Sequence, residues 1–554
     1  MVASACAAFH AAFPGISLAS WAVNGNPASL APQNQLAATS IPDGAGGIIL
    51  VWEDYRNGNA DIFAQRVSAA GDLLWGANGL AIAIDTLAQE APVVTSNGAG
   101  GAIIAWQDLR AGQYDIYAQA VSAAGAPQWT ADGVAVCAAS GTQVVQGIVS
   151  DNAGGAIVAW RDLRTGDSDV YAQRVNGSGA SVWTANGAGV CVLSGAQSEI
   201  RIEADPRGGA FLVWRDRRGG LTSDIYAQSI DLSGAPRWTA NGVSVCAAAD
   251  DQIDPATALD GRFGLLVAWQ DRRNGVDADI WAQRVKPDGT PRWTVDGVRL
   301  TAAALQQTNP SLVSDGVAGA IVGWTDARVT RPDVYAQRID SSGVVSWLPA
   351  DGVAVCAADS SQFLDVVLTD GAGGAIFGWD DDRSGGSQIY SQSIGHSGTS
   401  RWGSGGVLVA TGAGSRTLTT AVPDGYHGAV FGWQDFRNGP TCDVYAFRLS
   451  AVGTSVETTL TPVLAHIYPA RPNPFNPSTV LAFDLERPAN VHLAVYDARG
   501  RLVRTLYQGS LGAGRHQVRW DGMDRSGSPC GSGVYFARLS GTLGSATTSL
   551  ALIR

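Results

Sequence analysis

The amino-acid sequence predicts an all-β protein in which an eight-bladed β-propeller precedes a small antiparallel β-sandwich. Glycine accounts for 69 of the 554 residues and separates short apolar runs, as it does in all-β proteins. Tryptophans recur in two series with a spacing of 54 or 55 residues. After the eighth copy of this repeat the composition changes, which indicates a second, smaller domain.

The tryptophan spacing defines the number of repeats. The two series together hold 16 of the 18 tryptophans, and so regular a pattern indicates eight copies of one supersecondary unit. The first series is Trp52, Trp106, Trp160, Trp214, Trp269, Trp324, Trp379 and Trp433. The second series is Trp21, Trp75, Trp129, Trp183, Trp238, Trp293, Trp347 and Trp402.

One copy, residues 252–305, shows which strands the unit contains. The runs GLLVAWQD and DIWAQRV are rich in Val, Ile and Trp, and the turn-forming stretch RRNGVDA lies between them. With the flanking segments QIDPATALDG and PRWTVDGVRLTAA, they predict a meander of about four antiparallel strands. A four-stranded unit of roughly 50 residues is typical of a propeller blade.

The two ends of the repeat region predict how it closes. The last copy, GWQDFRNGPTCDVYAFRLSAVG, lacks the second tryptophan and its strand, and the stretch SWAVNGNPASLAP near the N-terminus supplies that piece. We therefore expect an N-terminal strand to complete the eighth blade of a propeller that spans residues 21–456. Such a ring leaves no free sheet edge. An open solenoid is the alternative architecture.

Every copy carries the pattern W-x-D-x-R followed by a second acid. An acid two residues before an arginine can orient its guanidinium, so we expect a structural lock that holds the hairpin and the adjacent blades. A repeated ligand site, such as calcium at residues 54–61, and a catalytic site are the alternatives. The pairs are Asp54/Arg56, Asp108/Arg110, Asp162/Arg164, Asp216/Arg218, Asp271/Arg273, Asp326/Arg328, Asp381/Arg383 and Asp435/Arg437; the second acids are Asp61, Asp115, Asp169, Asp224, Asp279, Asp333 and Asp443, with Gln388 in the seventh copy.

Residues that depart from their repeat equivalents are the other candidates for function. We expect most of them to be drift on exposed loops, whereas one deep cleft lined by several would favour an enzyme or a specific lectin. The sequence holds no histidine metal motif, nucleophile elbow or phosphate-binding loop, so it assigns no catalytic, cofactor-binding or metal-binding residue, predicts no cofactor, and leaves the ligand-binding residues unknown. The departures are Trp281, the row of acids that Asp380 and Asp382 form with the lock residue Asp381, His396, Tyr426 and His427.

A carbohydrate-active enzyme is the alternative to a binding protein, by analogy with other propellers. A glycoside hydrolase needs two carboxylates about 5 to 10 Å apart across a pocket. Glutamate is scarce in the repeats, and Glu199 with Glu203 is the non-repeating pair; we expect these two to be solvated acids on one side of a strand. The glutamates are Glu53, Glu90, Glu199 and Glu203.

Charge and hydropathy exclude some partners. The net charge is −12 and Lys286 is the only lysine, so we expect no nucleic-acid partner. No apolar run reaches the roughly 18 residues of a transmembrane span. Residues 1–20 are small and apolar, and we expect a leader that is the remnant of a signal peptide; the stretch ASAC also resembles a lipobox that ends at Cys6.

Four cysteines occupy one repeat position, where other copies have Ala83 or Thr301. Interchange with these residues predicts small buried side chains, and equivalent positions in neighbouring repeats lie too far apart for disulfides. These cysteines are Cys137, Cys191, Cys246 and Cys356.

The C-terminal segment resembles a known module. Period-two strands alternate with D-A-R-G, A-G-R-H and C-G-S-G turns, which predicts a small sandwich over residues 467–554 after a linker at 457–466. The segment resembles the Ig-like domain related to the flagellar hook-capping protein, and it is similar to the type A sorting domains of type IX secretion substrates. The matching stretches are NPFNPST (473–479), YDARGR (496–501), GRH (514–516), WDG (520–522) and SGVYF (532–536).

This resemblance implies export through the C-terminal domain to the medium or outer surface of a Gram-negative-type bacterium. The repeats themselves resemble uncharacterised propeller repeats of bacterial surface proteins, a resemblance that implies no activity. We expect a secreted or surface-displayed propeller that binds a protein or a polysaccharide at its face or serves as a structural scaffold. An extracellular glycoside hydrolase or polysaccharide lyase on the same scaffold is the alternative.

Overall fold

The structure is a computed structural model and describes residues 21–410, 414–451, 453, 465–467, 470, 472–485, 489–497, 501–512, 514–541 and 544–553. The predicted leader, residues 1–20, lies outside the described residues. The chain divides into two compact units, Met1–Val456 and Glu457–Arg554. The described residues form strands and no helix of any kind, which confirms the all-β prediction.

The first unit consists of repeated four-stranded antiparallel sheets in a propeller-like arrangement. Its first sixteen strands are β1 (Asn26–Ser29), β2 (Gln35–Pro42), β3 (Ile48–Asp54), β4 (Asp61–Val67), β5 (Leu80–Ala83), β6 (Gln89–Ser96), β7 (Ala102–Asp108), β8 (Asp115–Val121), β9 (Val134–Cys137), β10 (Gln143–Ser150), β11 (Ala156–Asp162), β12 (Asp169–Val175), β13 (Ala188–Cys191), β14 (Gln197–Ala204), β15 (Ala210–Asp216) and β16 (Asp224–Ile230).

The second sixteen strands continue the same order. They are β17 (Val243–Cys246), β18 (Gln252–Leu259), β19 (Leu265–Asp271), β20 (Asp279–Val285), β21 (Val298–Arg299), β22 (Gln307–Ser314), β23 (Ala320–Asp326), β24 (Asp333–Ile339), β25 (Val353–Cys356), β26 (Gln362–Thr369), β27 (Ala375–Asp381), β28 (Gln388–Ile394), β29 (Val407–Ala410), β30 (Arg416–Pro423), β31 (Ala429–Asp435) and β32 (Asp443–Leu449).

Eight sheets result. Sheets 1 to 7 each contain four consecutive strands, β2–β5 in sheet 1 through β26–β29 in sheet 7. Sheet 8 combines β30, β31 and β32 with β1, which pairs antiparallel with β32 through the partners Asn26 and Ala446. The first strand of each sheet contacts the first strand of the next, and β30 of sheet 8 contacts β2 of sheet 1.

The burial of each strand follows from its place in the sheet. The second strands, such as AIVAWRD in β11, are almost continuously apolar and are buried because both faces pack against neighbouring sheets. The first strands alternate between buried and accessible residues, and each contains a β-bulge, as between Ser198 and Arg201 in β14. Their accessible residues face the centre of the unit.

The second tryptophan series connects successive sheets. Trp75 donates its indole N–H to the carbonyl of Ala123 in the next sheet at 3.1 Å. Trp21, which precedes β1, makes the equivalent bond from sheet 8 to Ala69 of sheet 1, also at 3.1 Å. Each of these rings therefore lies at a boundary between two sheets.

The second unit is a small antiparallel sandwich around one core. The core combines Leu481 and Trp520 of one sheet with Leu493, Leu539 and Leu550 of the other. The three-stranded sheet has the order β33-β34-β37 and the four-stranded sheet the order β36-β35-β38-β39. The strands are β33 (Ala465–Ile467), β34 (Thr479–Leu485), β35 (Ala489–Asp497), β36 (Leu502–Leu511), β37 (Gly514–Trp520), β38 (Gly533–Gly541) and β39 (Gly544–Leu552).

Candidate functional site

The W-x-D-x-R residues form a closed set of contacts at the lock side, the end of each sheet where the second strand meets the third. In sheet 3, Trp160 donates its indole N–H to Oδ2 of Asp162 at 2.7 Å. Arg164 donates from Nε and Nη2 to the two oxygens of that carboxylate at 2.8 and 2.5 Å. Its guanidinium lies over the ring of Tyr171, 4.0 Å from the centroid. The carboxylate and the guanidinium are thus occupied within the protein.

The tryptophan bond, the Nη2 bond and the ring contact recur in every sheet of the first unit, whereas the Nε bond is absent at Arg437 of sheet 8, where Arg416 Nε donates to Asp435. The distance from the tryptophan N–H donor to the Asp Oδ2 is 2.6 to 2.8 Å in all eight copies. The arginine lies 3.6 to 4.1 Å from an aromatic centroid in all eight. Trp281 is the ring beneath Arg273, so this departure from the repeat serves the lock. The structural interpretation is confirmed.

In five of the seven copies that have it, the second acid of the repeat accepts a hydrogen bond from a side chain of its own hairpin loop. Asp169 accepts a hydrogen bond from Oγ1 of Thr165 at 2.5 Å. Burial raises the pKa of this group of carboxyls, and it raises the pKa of Asp224 and Asp333 to about 6, with the charge of the nearby lock aspartate adding to the effect. These two acids therefore titrate at a higher pH than an ordinary aspartate.

The four repeat cysteines are buried, as predicted. Arg164 Nη2 lies 3.3 Å from the sulfur of Cys137, which belongs to the preceding sheet. Burial raises the pKa of the thiols to about 11 for Cys137 and Cys356 and to about 12 for Cys191 and Cys246. The thiols stay neutral and are unsuited to nucleophilic chemistry.

A cavity of about 490 Å³, here called the central cavity, lies where the first strands of seven sheets meet. Its wall combines residues of β2, β6, β10, β14, β18, β22 and β26. The charged groups in this wall are Arg201, Glu203 and Asp365. At the equivalent positions of the other first strands the residues are uncharged. The charge in the central cavity therefore departs from the eightfold repeat.

Two of these charged groups have strongly shifted acidity. Glu203 accepts a hydrogen bond from Oγ1 of Thr257 at 3.0 Å, and burial raises its pKa to about 7. Burial also raises the pKa of Asp365 well above its usual range, and the charge of Asp380 adds to this shift. Asp365 is exposed at the cavity wall. Near neutral pH the Glu203 carboxyl can carry a proton and donate a hydrogen bond.

The expectation of a solvated glutamate pair is wrong. Glu203 lines the central cavity, while Glu199 pairs with Nη1 of Arg215 at 2.8 Å and accepts the backbone N–H of Asp254 at 2.7 Å. Glu199 has φ +53° at the bulge, and that bulge breaks the period-two alternation on which the expectation rested. Arg201, which belongs to the same strand, reaches Asp254 at 3.5 Å.

A second cavity of about 520 Å³, the turn-side cavity, shares Glu203 and Thr257 with the first. It lies toward the turn side, the end of the sheets where the first strand meets the second. Gly371 and Gly373 of the turn between β26 and β27 form part of its border. His427 contacts this turn through Nδ1, 2.6 Å from the carbonyl oxygen of Asp370.

The residues that depart from the repeat do not form one cleft. His396 lies on the turn side, with Nδ1 3.2 Å from the carbonyl oxygen of Gly373. Asp380 and Asp382 lie at the lock-side end of β27, about 20 Å along the strand from the turn side on which His396 lies. Asp380 accepts the backbone N–H of Leu418 at 2.9 Å, and burial raises its pKa to about 7.

The sequence analysis missed a cluster of two carboxylates and two tyrosines on the lock side of sheets 1 and 2. Tyr55 donates its hydroxyl to Glu53 at 3.2 Å, and Tyr114 donates to Glu90 at 2.7 Å. Burial raises the pKa of Glu53, and the charge of Glu90 adds to the shift. Burial and the charge of Glu53 raise the pKa of the Tyr55 hydroxyl to about 12, and the hydrogen bond to Glu90 together with burial raises the pKa of Tyr114 to about 12. At most of the equivalent positions in the other repeats there is no tyrosine. This departure from the repeat was the feature of the sequence that could have indicated the cluster.

The motif residues of the second unit are structural. Trp520 is fully buried and packs against Phe475 and Tyr535, with ring centroids 5.4 and 5.2 Å apart. Oδ1 of Asn473 accepts the backbone N–H of Ala551 at 2.7 Å. These contacts explain the NPFNPST, WDG and SGVYF stretches by folding alone.

Within the residues that the structure describes, no group of three or more His, Cys, Asp or Glu side chains could hold a metal ion. No described helix is long and apolar enough to cross a membrane.

Comparisons with known proteins identify the C-terminal module. Residues 473–545 match the family model of the FlgD Ig-like domain, which confirms the suspected relationship to the hook-capping protein. No curated protein sequence matches the chain.

Solved structures share the repeated β-architecture at low similarity. Sqt1 from Chaetomium thermophilum matches with 11% identity and a TM-score of 0.43, over 77% of this chain and 100% of its own. An ulvan lyase, a polysaccharide lyase, matches with 10% identity and a TM-score of 0.40, over 79% of this chain and 97% of its own. PorZ of Porphyromonas gingivalis, a surface component of the type IX secretion system, matches with 12% identity and a TM-score of 0.25, over 95% and 82%.

Proposed function

We propose that this chain is an exported bacterial binding protein whose eight sheets close into one β-propeller. A protein or a polysaccharide binds at its central cavity. The contact of β30 with β2, the pairing of β1 with β32 and the bond from Trp21 to Ala69 support ring closure over an open solenoid.

The observation that carries the proposal is the distribution of charge between repeated and unrepeated positions. In each lock the repeated aspartate and the repeated arginine form an ion pair with one another within the protein. Arg201, Glu203 and Asp365 instead face a cavity, at positions where the other sheets carry uncharged residues. Convergent polar groups in a concave, preformed site are typical of ligand binding.

The route to the cell exterior is the second part of the proposal. The match of residues 473–545 to the FlgD Ig-like domain and the likeness to type A sorting domains support export by the type IX machinery to the medium or outer surface. In the organism of origin, the chain without residues 467–554 should remain in the periplasm while the full chain appears outside. Equal surface exposure of both forms would contradict this route.

Binding is tested with the full chain against a panel of polysaccharides and extracellular proteins by titration calorimetry. Replacement of Arg201 and Asp365 together by alanine should weaken binding by about tenfold or more. Arg272→Ala is the control, because Arg272 is exposed on a lock-side loop outside the cavity. Equal affinity of the cavity variant and the control would reject the central cavity as the site.

An extracellular carbohydrate-active enzyme is the second candidate, and the pKa of about 7 at Glu203 favours it. A carboxyl with such a pKa suits general acid catalysis at neutral pH. Release of reducing ends or unsaturated products from a polysaccharide, abolished by Glu203→Gln, would establish an enzyme. Binding without product release would establish the binding protein.

A further inference from the structure

The carboxylate of Asp333, the second acid of sheet 6, accepts no hydrogen bond from any residue that the structure describes. In four other sheets the residue three positions after the lock aspartate donates to the second acid, as Asn57 does to Asp61 at 2.7 Å. Sheet 6 has Val329 at this position, whose side chain has no donor. Asp333 is 6% exposed, and burial raises its pKa to about 6. Buried carboxylates normally have a partner, because their loss of hydration must be compensated.

Asp333 lies in the wall of a cavity of about 480 Å³, here called the Asp333 pocket. The rest of the wall consists of residues 329–331 of the hairpin loop and residues 357–359 of the loop between β25 and β26. Arg331 links the two loops, because its Nη1 donates to the carbonyl oxygen of Asp359. Residues 329–331 are exposed, so a ligand can reach the pocket from the lock side. The unpartnered carboxylate therefore borders a space of the size that binds small ligands or single side chains.

Sheet 5 shows which chemical group this carboxylate position accepts. Arg299 donates there from Nη2 to Oδ1 of Asp279 at 2.8 Å, and Asn274 donates to Oδ2 at 3.1 Å. Arg299 lies on β21, and the equivalent residue of β25 in sheet 6 is Ala354. Sheet 6 therefore lacks both of the donors that occupy the acid in sheet 5, and the Asp333 pocket borders the carboxylate instead.

We propose that the Asp333 pocket binds the guanidinium group of an arginine side chain that a partner protein presents. Neither oxygen of Asp333 is engaged by the described residues, so the carboxylate can accept the two parallel N–H bonds of a guanidinium. An ammonium group, as in lysine or an amino sugar, lacks this planar pair of donors. The pocket shares no residue with the central cavity, so the inference goes beyond the proposed function.

The charges around the pocket are compatible with a cationic ligand. The lock arginine of the same sheet, Arg328, is engaged in its own ion pair. Sheet 5 carries the same lock and still pairs Asp279 with Arg299, so a lock does not prevent a second guanidinium from binding. Arg331 adds one positive charge to the wall, and the carboxylate of the neighbouring Asp359 offsets it. The net charge of −12 attracts a basic partner.

The test titrates the full chain, by ligand-observed NMR, with arginine blocked as its N-acetyl methylamide and with blocked citrulline, its uncharged isostere. The blocked arginine should bind with a Kd of about 1 mM, as expected of so small a ligand, and at least about tenfold more tightly than blocked citrulline. Asp333→Asn should weaken the binding of blocked arginine by about tenfold or more. Asp224→Asn is the matched control and should leave this affinity unchanged, because Asp224 also lacks a hydrogen-bond partner among the described residues but lies outside the pocket.

Ala354→Arg is a second variant, since it places an arginine at the position that Arg299 occupies in sheet 5. It should fill the pocket from within, abolish the binding of blocked arginine and raise the midpoint of thermal unfolding by about 1–2 °C. Unimpaired arginine binding in Asp333→Asn, or in Ala354→Arg, would overturn the site.

The probes also decide the class of the ligand. Equal binding of blocked arginine and blocked citrulline, or no binding of either, would overturn the recognition of a guanidinium. Tighter binding of glucosamine, or of free L-arginine, than of blocked arginine would overturn the protein partner in favour of an amino sugar or an amino acid. Replacement of Arg201 and Asp365 together by alanine should leave arginine binding unchanged, so failure of this pocket and failure of the central cavity are distinguishable.

Discussion

Arg416 donates a hydrogen bond from Nη1 to Oε1 of Gln388 at 2.7 Å, across the boundary between sheets 8 and 7. Both residues are exceptions: Gln388 stands where other copies have the second acid, and Arg416 stands where the other first strands begin with glutamine. Arg416 also donates from Nε to Asp435 at 2.9 Å and is 1% exposed. The two exceptions thus compensate each other, because the arginine at one position supplies the donor for the glutamine oxygen at the other.

Arg416→Gln should destabilise the fold by about 1–3 kcal/mol, because it leaves the buried oxygen of Gln388 without a donor. The double variant Gln388→Asp with Arg416→Gln restores the residue types found at these two positions in the other repeats and should recover much of this loss. Urea unfolding of the two single variants and the double variant measures the coupling, expected at about 1 kcal/mol. Strictly additive effects would show that the two residues do not depend on one another.

Trp21→Ala tests ring closure. Trp21 is 2% exposed, and it should cost about 3–5 kcal/mol if it joins sheet 8 to sheet 1. Trp75→Ala is the matched control, because Trp75 makes the same bond between sheets 1 and 2. Thermal unfolding should give losses of similar size for both. A small loss for Trp21 beside a large loss for Trp75 would favour an open array.

The raised pKa of Asp224 makes stability depend on pH. Burial and the charge of Asp216 raise this pKa from the ordinary value of about 3.9 to about 6, so the folded state holds the proton more tightly than the unfolded state. The contribution of the protonated Asp224 carboxyl to the free energy of unfolding is complete below about pH 4 and is lost as the pH rises through about 6.

Asp224→Asn should therefore raise stability by about 1 kcal/mol at pH 7.5, after solvent screening is allowed for, and have little effect at pH 4. Asp231→Asn is the opposite control. Hydrogen bonds from Ser233 lower the pKa of Asp231, so its removal should destabilise the protein at pH 7.5. Unfolding midpoints at the two pH values measure both effects. A gain for Asp224→Asn that is equal at both values would exclude titration as its cause.

The repeat cysteines should resist modification in the folded protein. Cys137 and its three equivalents are buried, and their pKa values of about 11 to 12 leave almost no thiolate at neutral pH. A brief exposure to iodoacetamide at pH 7.5 should leave these four residues unlabelled by mass spectrometry, whereas the same exposure in denaturant should label all four. Labelling of Cys137 in the native protein would contradict the buried assignment.

Local patterns were sufficient for most of the fold. Short runs rich in Val, Ile and aromatic residues, such as DVYAQRV, predict strands, because strand preference depends on near neighbours in the chain. The regular spacing of Trp52 from Trp106 predicts the length of the repeat. The D-x-R lock was also predictable, since Asp162 and Arg164 are two residues apart. In contrast, the Glu53 and Glu90 cluster joins two sheets, and nothing local indicates that contact.

The all-β class, the repeated four-stranded unit, the locks and the C-terminal Ig-like module follow from the amino-acid sequence, because they depend on periodicity and on contacts within one hairpin. The shared cavity of Arg201, Glu203 and Asp365, from sheets 4 and 7, and the joint contact of His396 and His427 with one turn are visible only in the folded chain. A β-bulge changes which face of the sheet a side chain takes, and the packing of sheets determines which distant residues meet.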